Sequence, residues 1–162
     1  MRAQSLYSYF GSKHEIYDAM FAQANHELLE QMTDETDAGG DVEMHLDAAR
    51  RGAHRFLEFC VNDPVRYQLL FQRTIPDFVP SERSYAVAQE AYGRAFDRLR
   101  AIGLDQPAID LWSAVLAGLV AQQLSNDPSG ERWAILVDPA VDMLVAATRP
   151  SGIEPQLTRS RR

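Results

Sequence analysis

One cysteine, one lysine and no long apolar run set the first limits on this 162-residue chain. Cys60 stands alone, so an internal disulfide and a cysteine-rich metal site are both excluded. The longest strongly apolar run, residues 114–121, is too short to cross a bilayer, and no membrane partner is expected. Residues 1–12 carry no signal-peptide pattern, so the expected location is cytoplasmic. Lys13 is the single lysine against fifteen arginines, a bias that fits a GC-rich genome. No glycine-rich phosphate loop, serine nucleophile elbow or HExxH pattern occurs, so the sequence gives no ground for an enzyme or a cofactor. His14, His26, His45 and His54 show no metal-ligand spacing, and each reads as a surface or structural histidine.

A broadly basic surface is also missing. The formal net charge is −7, so any contact with DNA has to be local. Residues 1–20 balance to zero, residues 21–60 and 104–148 are acidic, and residues 149–162 are basic.

Runs of alternating apolar and polar residues are absent too, which leaves an all-α reading. A short helix is expected from about Arg2 to Phe10, with a break at Gly11. Ser12-Lys13-His14-Glu15 reads as a capping box in which Glu15 reaches back to Ser12. The helix it opens carries Ile16, Tyr17, Met20, Phe21, Ala24, Leu28 and Met32 at three- and four-residue spacing. An acidic loop follows, and Asp41 caps a helix from about Val42 to Val61. Asn62-Asp63-Pro64 restarts the chain into a short helix, Val65 to Gln72. A two-proline loop leads to a helix opened by Ser81, which ends at Gly103. Two more helices are expected, from about Pro107 to Ser125 and from about Glu131 to Thr148, with Pro139 a kink or restart. Pro150 to Arg162 has few large apolar residues and reads as a disordered tail.

The most informative segment is residues 5–16. Leu6 and Phe10 share one helix face, which must be buried. Tyr7 offers a hydroxyl that reaches a phosphate. Lys13 sits beside the free N–H groups of the next helix, so lysine and helix terminus together form an anion site.

This pattern resembles the end of the helix-turn-helix in the TetR family of bacterial transcription regulators. The resemblance implies a partial helix-turn-helix, limited to its recognition helix, then a connecting helix and a helical bundle that dimerises. Residues 1–32 would be the remnant of the DNA-binding domain, residues 41–148 the ligand-binding and dimerisation domain, and residues 149–162 a basic tail. Carried over by position, Tyr7 and Lys13 match phosphate-contacting residues, and Tyr9 matches a further backbone contact. Ala3, Gln4 and Ser5 fall where the family reads base edges, with Arg2 near the helix start. The family places two further helices ahead of this segment. Either the chain is a truncated product or its start codon lies upstream of Met1, and the second is favoured. The chain as numbered is then expected to bind operator DNA poorly. Trp112 with Gly118 is similar to a subgroup with a tryptophan-histidine-glycine signature, although Ala117 stands where its histidine is expected.

The resemblance implies a ligand-responsive regulator, most often a repressor, working as a homodimer on operator DNA. Its ligand would be small and apolar or amphipathic. Candidate lining residues are Phe56, Phe59, Tyr67, Phe71, Phe78, Tyr92, Phe96 and Trp112; plain core packing is the alternative for all of them. Ala114, Gly118 and Ala121 permit close helix approach. With Leu111, Val115 and Gln122 they form a candidate dimer face, completed by Leu136, Val141, Leu144 and Val145. The alternative is a contact within the chain. The runner-up function is a dimerising or small-molecule-binding helical protein that does not bind DNA.

Overall fold

The computed structural model describes residues 10–33 and 40–148. The expected recognition helix, residues 34–39 of the acidic loop and the basic tail lie outside those residues, apart from Phe10, which is not helical.

The fold is all-α. The described residues form six α-helices: α1 (Lys13–Met32), α2 (Val42–Asn62), α3 (Pro64–Phe71), α4 (Glu82–Ala101), α5 (Gln106–Asn126) and α6 (Val137–Thr148). Each of the first five begins at a side-chain cap. Ser12, Asp41, Asp63, Ser81 and Asp105 accept the N–H groups of Glu15, Met44, Arg66, Ser84 and Ala108. These caps satisfy donors that the helix itself leaves free. The capping box at Ser12 forms with one change: the Glu15 carboxylate accepts the Gly11 N–H at 2.7 Å, one residue earlier than expected. Prolines 64 and 107 sit in first turns, where no donor is lost.

Gly103 closes α4 with φ +92, a left-handed conformation suited to glycine. Its N–H reaches Arg100 O at 2.9 Å, and the Leu104 N–H reaches Leu99 O at 3.1 Å. Leu104 and Leu99 are both buried, as this helix ending favours.

The last helix departs from expectation. Residues 132–133 form a turn, a 3₁₀ segment spans Ala134–Leu136, and α6 starts at Val137. Pro139 therefore lies in a first turn and interrupts nothing. The segment ahead of it is held by Gln123 of α5, which is fully buried. Its Oε1 accepts Trp133 N at 3.0 Å and Ala134 N at 3.2 Å, and its Nε2 donates to Asp127 O and Gly130 O. A Cβ at Gly130 would collide with the Asp127 carboxylate, which accepts the Arg132 N–H at 2.9 Å, so a larger residue there would displace that contact.

One core joins the helices, with Leu28, Leu57, Phe59, Ile109, Trp112 and Val120 among its buried residues. α1 packs most extensively on α4, and α2 touches all five other helices.

Candidate functional site

The DNA-facing candidates divide sharply. Lys13 is exposed at the first turn of α1, where the N-terminal backbone donors favour anions. Arg2, Ala3, Gln4, Ser5, Tyr7 and Tyr9 lie outside the described residues.

The aromatic candidates fall into four places. Phe71, the last residue of α3, is a hub: its ring lies 5.3 Å from Phe56, 5.6 Å from Tyr67 and 6.2 Å from Tyr92. Phe96 continues the row at 6.4 Å from Tyr92. Edge-on and tilted contacts of this kind suit ring quadrupoles. Phe59 belongs elsewhere, with the Arg66 guanidinium 3.8 Å over its ring. Phe78 packs on Tyr17 at 5.8 Å and Phe21 at 6.4 Å, away from the row. Trp112 is buried in the core.

Among the described residues, two of the surface clefts measure about 510 and 340 Å³. The larger is polar, lined by Glu30, Arg55, Glu58 and Arg66 among others, and the smaller lies between α1 and α3. Of the eight aromatic candidates only Phe59 lines either cleft. The Phe71 row is packed against itself, so a ligand entering there has to part the rings.

Cys60 is fully buried near Tyr92, which is itself half-buried. Burial pushes the Cys60 thiol up to about 12, against a weaker downward pull from Arg66. Burial likewise pushes the Tyr92 hydroxyl well above its usual value, with Cys60 and Tyr85 adding to the shift. Both groups stay neutral at ordinary pH, and neither is activated as a nucleophile.

The dimer candidates also separate by face. On α5, Leu111 is 59% exposed, and Ala114, Gly118 and Gln122 are exposed with it. A Cβ built on Gly118 meets nothing within 4 Å, so this glycine serves no close helix contact among the described residues. Val115 and Ala121 flank the stripe half-buried. On α6 the expectation shifts by one face. Val141 and Leu144 are buried in the chain's own core and Val145 is half-buried. Leu136 is exposed, and Ile135 and Met143 are the large apolar residues that join it outside. Helical spacing makes Val137, Val141 and Leu144 one stripe, and that stripe is the inner one.

α5 is also the one helix among the described residues that is long and apolar enough to cross a membrane. Ile109, Trp112, Val120 and Gln123 commit its other side to the core.

No family model, curated protein or solved structure matches this chain.

Proposed function

We propose that this chain is a TetR-like, ligand-responsive transcriptional regulator that works as a homodimer. The observation that carries the reading is the continuity of α1. Its first residue is Lys13, the lysine of the helix-turn-helix-like motif, and the same helix packs more extensively on the bundle than any other pair does. A change within the bundle therefore displaces the Lys13 end. In a dimer it would alter the separation of two such ends, which half-site spacing on DNA makes decisive.

The remaining parts fit that scheme. The outer stripe of α5, with Leu136 and Met143 nearby in sequence on the next helical segment, supplies an apolar surface for a second copy. The Phe71 row offers a small apolar or amphipathic molecule a set of stackable rings, and its binding would select one arrangement of the helices. Repression is the expected sign of regulation.

A second reading has one observation in its favour. The α5 stripe around Gly118 is open, and a second copy could cover it whether or not DNA is bound, which suits a helical dimerising protein without DNA contact.

Enrichment from random DNA duplexes separates the two. It is run on the 162-residue chain and on the chain extended by its in-frame upstream sequence. A two-fold symmetric enriched site supports the regulator. Absence of enrichment from both proteins leaves the second reading.

A further inference from the structure

α1 and α4 run parallel, and each carries a charge suited to the other's end. At the start, Asp18 of α1 meets the N-terminus of α4. Its carboxylate accepts Ser81 N at 2.7 Å, Ser81 Oγ at 2.8 Å and Ser84 Oγ at 2.9 Å. At the finish, two arginines of α4 meet the C-terminus of α1. Arg98 donates to Met32 O, and Arg94 donates to Thr33 Oγ1 at 3.2 Å. α1 has no basic residue in its own last turn. Anion at one terminus and cations at the other offset the unfavourable alignment of two parallel helix dipoles.

The two ties are in register. Fourteen residues separate Asp18 from Met32, and fourteen separate Ser84 from Arg98. Between those ends the only fully buried residues of α4 are Ala88 and Ala91, whose methyl groups offer little to lock a neighbour along the axis. The polar ties at the two ends therefore add axial definition to the apolar packing of Phe21, Leu28 and Met32 of α1.

The two ends differ in how easily they open. Arg98 is 4% exposed, whereas Ser81 is exposed and Asp18 half-buried. Residues 72–80, which lead to Ser81, include Arg73 at φ 47 and Asp77 at φ 58, left-handed conformations that cost non-glycine residues energy. Phe78 in the same loop holds Tyr17 and Phe21 of α1. The loop begins directly after Phe71, the hub of the aromatic row.

We propose that residues 72–81 are a relay whose far end is a releasable latch on Asp18. Displacing Phe71 draws the loop, frees Asp18 from Ser81 and Ser84, and lets the first half of α1 move while Arg98 holds the second half. The latch is a property of this chain alone; its use in signalling rests on the regulator reading.

Amide hydrogen exchange on the 162-residue chain tests the relay without DNA. Asp18→Ala should speed exchange in residues 13–25 and in the first turn of α4 by tenfold or more. Residues 26–32, α2 and α5 should keep their protection. Ser84→Ala, which removes one of three bonds to Asp18 and is the milder variant, should give a smaller change in the same segments. Phe71→Leu should speed exchange in residues 13–25 when Asp18 is present and add nothing when Asp18 is already alanine. Unchanged exchange in residues 13–25 for both Asp18→Ala and Ser84→Ala would overturn the latch. A uniform rise across all helices would reduce it to general stability. A Phe71→Leu effect of equal size in both backgrounds would overturn the relay.

Discussion

The Asp18 carboxylate on α1 accepts the backbone N–H of Ser81 at 2.7 Å, across 63 residues of sequence. Desolvation raises its pKa, and the Ser81 N–H with the Ser81 and Ser84 hydroxyls outweighs that, so the value lies below its ordinary 3.8. A depressed acid contributes stability above its unfolded pKa and loses it as pH falls through the folded one. The stability gap between the wild type and Asp18→Asn should be full at pH 6. It should shrink below pH 3.8 and close at lower pH. Urea unfolding at several pH values checks this; a gap independent of pH down to full protonation contradicts it.

Gln123 should matter more for stability than any other polar residue of α5. Gln123→Leu leaves the Trp133 and Ala134 N–H groups and the Asp127 and Gly130 carbonyls without this partner. Each such group left buried costs about 1–3 kcal/mol. Denaturant unfolding should show a large loss for Gln123→Leu and little change for Ser125→Ala, an exposed polar position of the same helix.

Local rules made the helix starts legible. Ser12, Asp41, Asp63 and Ser81 each cap a helix because a short oxygen-bearing side chain next to an apolar periodic run has that use. Gly103 was legible for the same local reason. Long-range pairings were not. Nothing in sequence ties Asp18 to Ser81, and Gln123 looks like one more polar residue beside Gln122. Periodicity shows that α6 has apolar residues on more than one side without saying which side faces inward. Val141 and Leu144 therefore read as interface residues, although they fill the core. Likewise eight aromatics in sequence read equally as pocket lining or core packing, while neighbouring helices sort them into a row, a cation–π pair, a loop clamp and a core tryptophan. The motif around Lys13 carries the functional reading, and every candidate DNA contact in it except Lys13 lies outside the described residues.

Cys60 should be a silent thiol in the folded chain. Its pKa of about 12 keeps the reactive thiolate scarce at pH 8, and burial blocks reagents. A thiol-specific reagent should label it only as fast as the chain opens, and fully in denaturant. A raised folded pKa also favours the folded state below the ordinary 9.0, with that contribution lost as pH climbs towards about 12. Rapid stoichiometric labelling of native protein would place Cys60 at the surface.

The α5 stripe predicts which substitutions disturb association. Leu111→Glu puts a charge on the stripe, and Gly118→Leu inserts bulk where a Cβ now meets nothing. Overpacking of a close helix contact typically costs about 1–3 kcal/mol. Sedimentation should show a dimer for the wild type, a weakened dimer for Gly118→Leu and a monomer for Leu111→Glu, all with unchanged helicity. Ala117, exposed beside the stripe, gives a control at Ala117→Ser.

The salt dependence of DNA binding, with and without the Lys13 side chain, tests the regulator most directly. A lysine that neutralises one phosphate contributes about 0.9 to the slope of log affinity against log salt. A dimer carries two copies, so Lys13→Ala should reduce the slope by about 1.8 and weaken matched and mismatched duplexes alike. That result, on the enriched duplex and with the dimer intact, is what the account predicts. Identical slopes for wild type and Lys13→Ala, or no binding to any duplex by either length of chain, would contradict it.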